Sequence, residues 1–565
     1  MINTKNKLAF SFAVASAFLT ASGEQKQPNI VWVSCEDMSL RLGCWGDPVA
    51  STPNIDRLAA EGMRFTNAFT AAAISAPVRS GLITGMYHTT IGTHHMRTIS
   101  YPKNNDEKEP YAAVPPHYVK AFTEYLRAGG YYCTNNSKTD YQMQTEFGDR
   151  YTPPSMWNET GTNAHFRNRK TSGQPFFAVF NFTMTHESQS WNTENPVTDP
   201  AKVEVPPYYP DTELVRKQIA THYDNIRTMD KKVGEIIQQL AEDGLLDNTV
   251  VFFWSDHGDG FPRGKRWLYD SGTHVPLIVR WPGKLPSNSI DERLLSSIDF
   301  GPTVLSIANV EVPSHMQGIP FLGGQTGKKR SYVFGAKDRE DENYDMIRSV
   351  RNKNFLYIRN FYPAQPYVGL VAFRNQAPIM QELYRLQLEN SLSPVQQIWM
   401  SPAPRPAEEL YDVKKDPHQV NNLASNPKYK KVLKQMRNEQ VKWSKSTNDL
   451  GFMNEAEMIR RMWPDGVQPL TEKPAIYVNA PGNPPLAAQE TGGTYKYPTE
   501  IGLRSVTQGA SIVYTFDEGE NARWELYTGM IRLPSGKSAL RAKATRYGYK
   551  ISEEVRFEFT VTENR

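Results

Sequence analysis

The stretch Ile74-Ser75-Ala76-Pro77-Val78-Arg79-Ser80-Gly81-Leu82-Ile83-Thr84-Gly85 sets a hydroxyl just ahead of a proline and a guanidinium one helical turn further on. Pro77 suits the first turn of a helix, where its missing N–H costs nothing. Ser75 then lies at the helix N-terminus, where free backbone N–H groups and the positive end of the helix dipole favour an anion. Arg79 adds a forked cation suited to a tetrahedral oxyanion. The chemistry this points to is that of sulfate or phosphate. A serine acting as a plain helix cap beside a surface arginine would read the same way from this stretch alone.

Other reactive residue types fall at the ends of expected strands. Residues 28–34 form a continuous apolar run, read as a central strand of a parallel sheet, and Glu36-Asp37 follows it. Ligands bind at the carboxyl ends of strands in open α/β sheets, and adjacent carboxylates there suit a hard cation. Tyr131 to Thr134 is a short strand followed by Lys138 and Asp140, after a helix expected from Tyr118 to Ala128 that Gly129-Gly130 ends. Residues 175–182 are a further buried strand, with His186 just beyond it. Thr249 to Trp254 is another, with Ser255-Asp256-His257-Gly258 directly after. Leu214 to Leu240 carries apolar residues at helical spacing, as one long helix or a broken pair. His94, His95 and Arg97 follow the Ser75 helix closely and are candidates for substrate contacts; a surface loop is the plainer reading.

These pieces, in this order, resemble the type I sulfatase family. Ser75 to Gly85 resembles its Cys/Ser-x-Pro-x-Arg signature with the following Leu-Thr-Gly, and Thr52 to Ala59 and Gly62 to Phe69 resemble the sequence that precedes it. The resemblance implies an alkaline-phosphatase-like α/β fold: a mixed sheet flanked by helices, then a smaller C-terminal α+β subdomain. It also implies that Ser75 is oxidised to 3-oxoalanine (formylglycine), whose hydrated aldehyde is the nucleophile. A serine here resembles the branch matured by a radical enzyme, so a serine-type sulfatase-maturating radical enzyme is an implied partner. Asp256 and His257 resemble the second metal half-site, which with Glu36 and Asp37 implies one divalent cation, Ca2+ in the family. Lys265, in a segment like the family's Gly-Lys-x-x-x-Tyr, and Lys138 would bind sulfate with Arg79, and His186 would protonate the leaving group. Asp140 stands where the family usually has histidine. Asp140 or a histidine such as His95 is then a candidate base for the second half-reaction. The resemblance is to the sulfamidase-like and arylsulfatase-like branch.

The chain has 565 residues and a formal net charge of +4. That length predicts several domains, and so small a charge implies no nucleic-acid or membrane field. Residues 1–27 read as a signal peptide: Lys5 and Lys7, an apolar run from Leu8 to Leu19, then small residues. A periplasmic or secreted protein without a membrane anchor is expected. Cys35, Cys44 and Cys133 are too few for a disulfide framework and read as free thiols. The expected division is a catalytic domain over 28–330, a subdomain over 331–463, a Pro/Asn/Gly-rich linker over 464–485 and a β-sandwich over 486–565. The last resembles the small module at the C-terminus of chitobiase-type glycoside hydrolases, serving as scaffold or glycan contact.

The expected activity is hydrolysis of sulfate from sulfated carbohydrates, glycosaminoglycan or mucin-type, with exo action on a sulfated glucosamine first and galactose-type sugars second. A phosphatase or phosphodiesterase of the same superfamily, an exported phosphotransferase, and a glycan-binding protein with unmodified Ser75 are the rivals.

Overall fold

A computed structural model describes residues 27–96, 98, 111–145, 152–484 and 488–563. The signal-peptide expectation and Arg97 lie outside them.

The apolar run after Pro28 forms β1 (Asn29–Cys35), buried along its whole length. Seven further strands join it: β2 (Met63–Phe65), β3 (Tyr132–Asn136), β4 (Glu159–Thr160), β5 (Phe176–Phe182), β6 (Thr249–Ser255), β7 (Leu277–Arg280) and β8 (Ser289–Asp291). The order is β8-β2-β7-β6-β1-β5-β3-β4. β1 lies between β5 and β6, parallel to both, while β7 runs antiparallel to β6. Central strands covered on both faces need apolar side chains on both, which is why these segments are continuous rather than alternating. Trp32 fills one face, edge-on to Phe177 and Trp254 at 5.1 and 5.4 Å.

Helices α1 (Pro53–Glu61), α2 (Ser75–Thr84), α3 (Phe122–Ala128), α4 (Glu213–Glu242) and α5 (Phe300–Ile307) are among those around the sheet. The Leu214–Leu240 pattern is one unbroken helix, α4. The helix expected from Tyr118 begins only at Phe122. The preceding backbone is spent elsewhere: Ala121 N donates to Tyr547 Oη at 2.9 Å.

A second sheet follows, antiparallel, of β9 (Val333–Lys337), β10 (Ile347–Arg351), β11 (Phe355–Asn360) and β12 (Glu408–Asp412). The helix Lys430–Ser446 packs on it.

The C-terminal region is two packed sheets of three and five strands. Its first strand, β13 (Ala475–Asn479), lies inside the expected linker 464–485 and corrects it. Ile476 and Val478 alternate inward and pair with Leu503 and Ile501. The module is seated on α3 through Glu124, which is buried and accepts hydrogen bonds from Ser155, Ser511 and Tyr547. Among the described residues no helix is long and apolar enough to cross a membrane, and the three cysteines are free thiols.

Candidate active site

The carboxyl ends of β1, β5 and β6 meet the start of α2. Because these strands are parallel and adjacent, the residues just past each one converge: Cys35 pairs with Phe182 and with Ser255. Ser75 is the first residue of α2 and is buried. Its Oγ lies 3.3 Å from His257 Nε2. Pro77 is the third helical residue, still within the turn whose N–H groups have no helical acceptor.

Arg79 is held facing the strand ends. Its Nε donates to Asp256 Oδ2 at 3.3 Å, its Nη1 donates to Asn181 Oδ1 at 2.8 Å, and its Nη2 lies 3.8 Å from Glu36 Oε1. Asn181 is fixed in turn, accepting from Ser34 Oγ at 2.7 Å and donating to Asn135 Oδ1 at 3.0 Å. Lys138 Nζ donates to Glu36 Oε1, and Asp140 lies 3.9 Å from the same ammonium.

On the other side Lys265 Nζ donates to Asp37 Oδ2 at 2.8 Å and lies 3.0 Å from Glu187 Oε1. Glu187 also takes a two-point bond from Arg266, both at 2.8 Å, and its backbone N donates to Asp37 Oδ2 at 2.7 Å. Burial alone would raise the Glu187 carboxyl; Arg266 and Lys265 bring it down to about 2. Burial works against the charged form of Asp37 too, and Lys265, then His257, hold it well below the ordinary carboxylate range. For His257 burial disfavours the imidazolium, but Asp256 and Asp37 outweigh it and raise the pKa. The His186 imidazole is pulled down, first by burial and then by Lys265. Its Nδ1 shares a hydrogen bond with Ser188 Oγ at 2.9 Å.

Asp37, Asp256 and His257 offer ligand atoms within 4.8 Å of one another, as do Asp37, His186 and Glu187. Asp37 Oδ1 is buried and takes no hydrogen bond of good geometry, although His257 Nε2 is 3.0 Å away. An acceptor left in that state among carboxylate and imidazole donors fits a divalent cation. Three of the four expected ligands are therefore grouped. Glu36 is turned instead toward two cations, Lys138 and Arg79.

His94 and His95 are buried with ring centroids 4.2 Å apart. Met96 packs on Ile74 and Ala76, which flank the nucleophile position, and His95 Nδ1 accepts the Arg339 N–H at 3.2 Å. The sequence reading missed Asn181, Glu187 and Arg266. Asn181 lies within a strand it found and Glu187 beside a histidine it singled out, but neither stands in a pattern that names its partner.

An anion-favouring helix start beside a carboxylate–imidazole cluster that holds the buried cations Arg79 and Lys265 and the half-buried Lys138 suits a tetrahedral oxyanion such as sulfate or phosphate. Comparison with known proteins narrows that class. The sulfatase family model matches residues 28–310. A model described as N-sulphoglucosamine sulphohydrolase, C-terminal, matches residues 260–392. An ulvan-active sulfatase of Formosa agariphila is 38% identical over 568 residues, covering 94% of this chain and 91% of that protein. The chain belongs to the type I sulfatase family and is a sulfuric ester hydrolase. Among solved structures, a 2-O GAG sulfatase superposes with a TM-score of 0.54 at 20% identity, over 75% of this chain and 93% of its own. The phosphonate monoester hydrolase of Agrobacterium radiobacter does so with 0.55 at 18%, over 75% and 97%. The fold, an alkaline-phosphatase-like one, is thus shared by sulfate and phosphonate hydrolases, and fold alone does not choose between them.

Proposed function

We propose that the protein removes sulfate from sulfated carbohydrate by a nucleophile at residue 75 that has been converted from serine to formylglycine. The observation that carries this reading is Ser75 Oγ at a buried helix start, 3.3 Å from His257, whose neighbour Asp37 holds Lys265 while Glu36 beside it holds Lys138 and faces Arg79. The match to a sulphoglucosamine sulphohydrolase C-terminal model and the ulvan-active relative support sulfated sugar, with sulfated glucosamine first and galactose-type sugars second.

Asp37, Asp256 and His257 would hold one Ca2+, with Glu36 able to join them by turning from Lys138. When bound, the ion supplies Lewis-acid pull on a sulfate oxygen. The formylglycine, once formed, supplies a hydrated aldehyde, a nucleophile that can later release sulfate as an ester could not. The chain's own groups do the rest. Arg79, Lys138 and Lys265 meet charge developing on the sulfate oxygens with fixed cations, so little reorganisation is needed as the reaction proceeds. His186 gives its proton to the departing sugar oxygen. Asp140, beside Lys138, or a histidine such as His95 would take the proton lost in the second half. Export to the periplasm or beyond, and maturation by a serine-type radical enzyme, complete the reading.

Mass spectrometry of the Ser75 peptide, from protein made in its native host, tests it. The expected peptide is lighter by two hydrogens, and the same protein releases sulfate, not phosphate, from matched model esters. A wholly unmodified Ser75 would overturn the mechanism and favour glycan binding without turnover. Preferential phosphate release would favour the phosphatase reading.

A further inference from the structure

Arg374 is a buried cation that no carboxylate among the described residues meets at ion-pair distance. It sits on a single helical turn, Ala372–Asn375, and is 2% exposed. Its Nη2 donates to Gly369 O at 2.6 Å and to Asn375 Oδ1 at 2.7 Å, while its Nε has no partner. Among the described residues no carboxylate lies within ion-pair distance of it. Arg266, Arg348 and Arg405, equally buried, each hold one. A charge taken out of water without a counter-charge is costly, and such a group is normally found paired. Burial, followed by the nearby Arg266, pulls the guanidinium down to about 10, with Tyr384 and the more distant Glu340 only partly opposing the shift.

Two features give the place a direction. The guanidinium carbon of Arg374 lies 5.5 Å from the Trp267 ring, and Lys337 Nζ lies 4.9 Å from the same ring. Two cations thus share one aromatic side chain in a segment that begins with Lys265. The residue before Arg374, Phe373, is 38% exposed. Its ring lies 6.3 Å from that of His186 and 4.9 Å from that of Trp191. His186 is the group placed to protonate the leaving oxygen, so the alcohol half of the substrate lies on this side. An exposed ring offers an apolar surface for a sugar face, and the unanswered guanidinium is its immediate neighbour in the chain.

We propose that Arg374, with Lys337 beside it at Trp267, binds a second anionic substituent on the leaving sugar, a carboxylate or a further sulfate, while Phe373 packs against the sugar ring. The inference rests on the sulfatase reading and names its substrate class: an acidic saccharide rather than a neutral sugar bearing one sulfate. Lys337 is partly answered by Glu340 at 3.2 Å, so Arg374 is the residue on which discrimination turns.

The test uses the full-length matured enzyme and three sulfated disaccharides. One carries a carboxylate on the leaving sugar, one has that carboxylate reduced to the alcohol, and one has a second sulfate in its place. The wild type is expected to favour an anionic disaccharide over the reduced one by about 10–100-fold in kcat/KM, the range of a charge-assisted hydrogen bond. Whichever anionic sugar is favoured identifies the substituent. R374Q narrows the ratio to within about threefold by raising KM for the acidic sugar, and R374K restores part of it because the charge returns without the fork. Equal use of all three sugars by the wild type overturns the proposal. So does an R374Q that loses all three in parallel with a lowered melting temperature, which would make Arg374 a loop staple only. Sulfate release from the reduced disaccharide keeps the parent reading intact whatever the ratio. No release from any sulfate ester sinks both.

Discussion

His257 Nε2 lies 3.3 Å from Ser75 Oγ and 3.0 Å from Asp37 Oδ1. One imidazole therefore stands between the nucleophile position and the carboxylates that would hold a cation. Its other nitrogen, Nδ1, lies 3.1 Å from Gly258 O, which fixes the ring's orientation. Substitution there should be felt on both sides. H257A is expected to weaken the apparent calcium affinity by about 10–100-fold and to lower kcat even at saturating calcium. Calcium titration of chelator-stripped enzyme, read as sulfate release, measures both. A variant that titrates like the wild type would remove His257 from the cation's shell.

Glu187 ties two cations to the cluster, Lys265 at 3.0 Å and Arg266 through two bonds at 2.8 Å. All three side chains are buried. Removing the carboxylate leaves both cations without their shared counter-charge, which costs about 3–5 kcal/mol for a buried pair. E187Q should therefore lower the urea midpoint strongly and also reduce turnover, because Lys265 would then rest on Asp37 alone. The double variant E187Q/R266M should recover part of the stability, since one stranded charge is gone. An E187Q protein as stable as the wild type would show the pair to be solvated in solution.

Chelation offers a test of the cation that does not depend on turnover. Asp37 and Asp256 lie in one cluster of mutual ligand atoms within 4.8 Å, and like charges so close are held apart from water only if something answers them. Calcium at about 100 times its dissociation constant should raise unfolding free energy by about 2.7 kcal/mol over the stripped protein. The melting temperature should fall with chelator and return with calcium. H257A should show a smaller shift at the same calcium. A chelator-insensitive melt would speak against a site built from these residues.

What the sequence made legible follows from how each group is fixed. Glu36, Asp37, Asp256 and His257 could be picked out because each stands at once after a buried strand, and His186 because it stands four residues past one; parallel neighbours bring strand ends together whatever the loops do. Asn181, Glu187 and Arg266 act through partners 102, 79 and 79 residues away. No local spacing encodes such a pairing. The segment 464–485 was misjudged because Pro, Asn and Gly mask a short alternating strand, Ala475–Asn479, whose inward Ile476 and Val478 gain their meaning only opposite Leu503 and Ile501. Arg374 stands in no motif at all. It becomes visible only when its burial is set beside the missing carboxylate.

A pH dependence of stability follows from a buried histidine on α4. His222 is on α4, 1% exposed, with its ring 5.0 Å from that of Phe261 and its Nε2 without a hydrogen-bond partner among the described residues. Burial lowers its pKa from 6.5 to about 4, with Asp259 and, more weakly, Asp37 opposing and Arg41 reinforcing the shift. Above pH 6.5 neither the folded nor the unfolded chain protonates this ring, and it has no effect on the balance. Below that value the unfolded chain takes up a proton that the folded one refuses, so stability is lost as pH falls, until the folded ring also titrates near 4. At pH 5 the loss from this one residue is about 2 kcal/mol. Other titrating groups contribute to the same curve, so the comparison must isolate His222. The variant H222F keeps a ring beside Phe261 and cannot titrate. The difference in unfolding free energy between wild type and H222F should shift by about 2 kcal/mol against the wild type between pH 7.5 and pH 5, measured by urea unfolding at both. A difference that stays constant across that interval would mean that the ring is reached by water in the folded protein and protonates at its ordinary value.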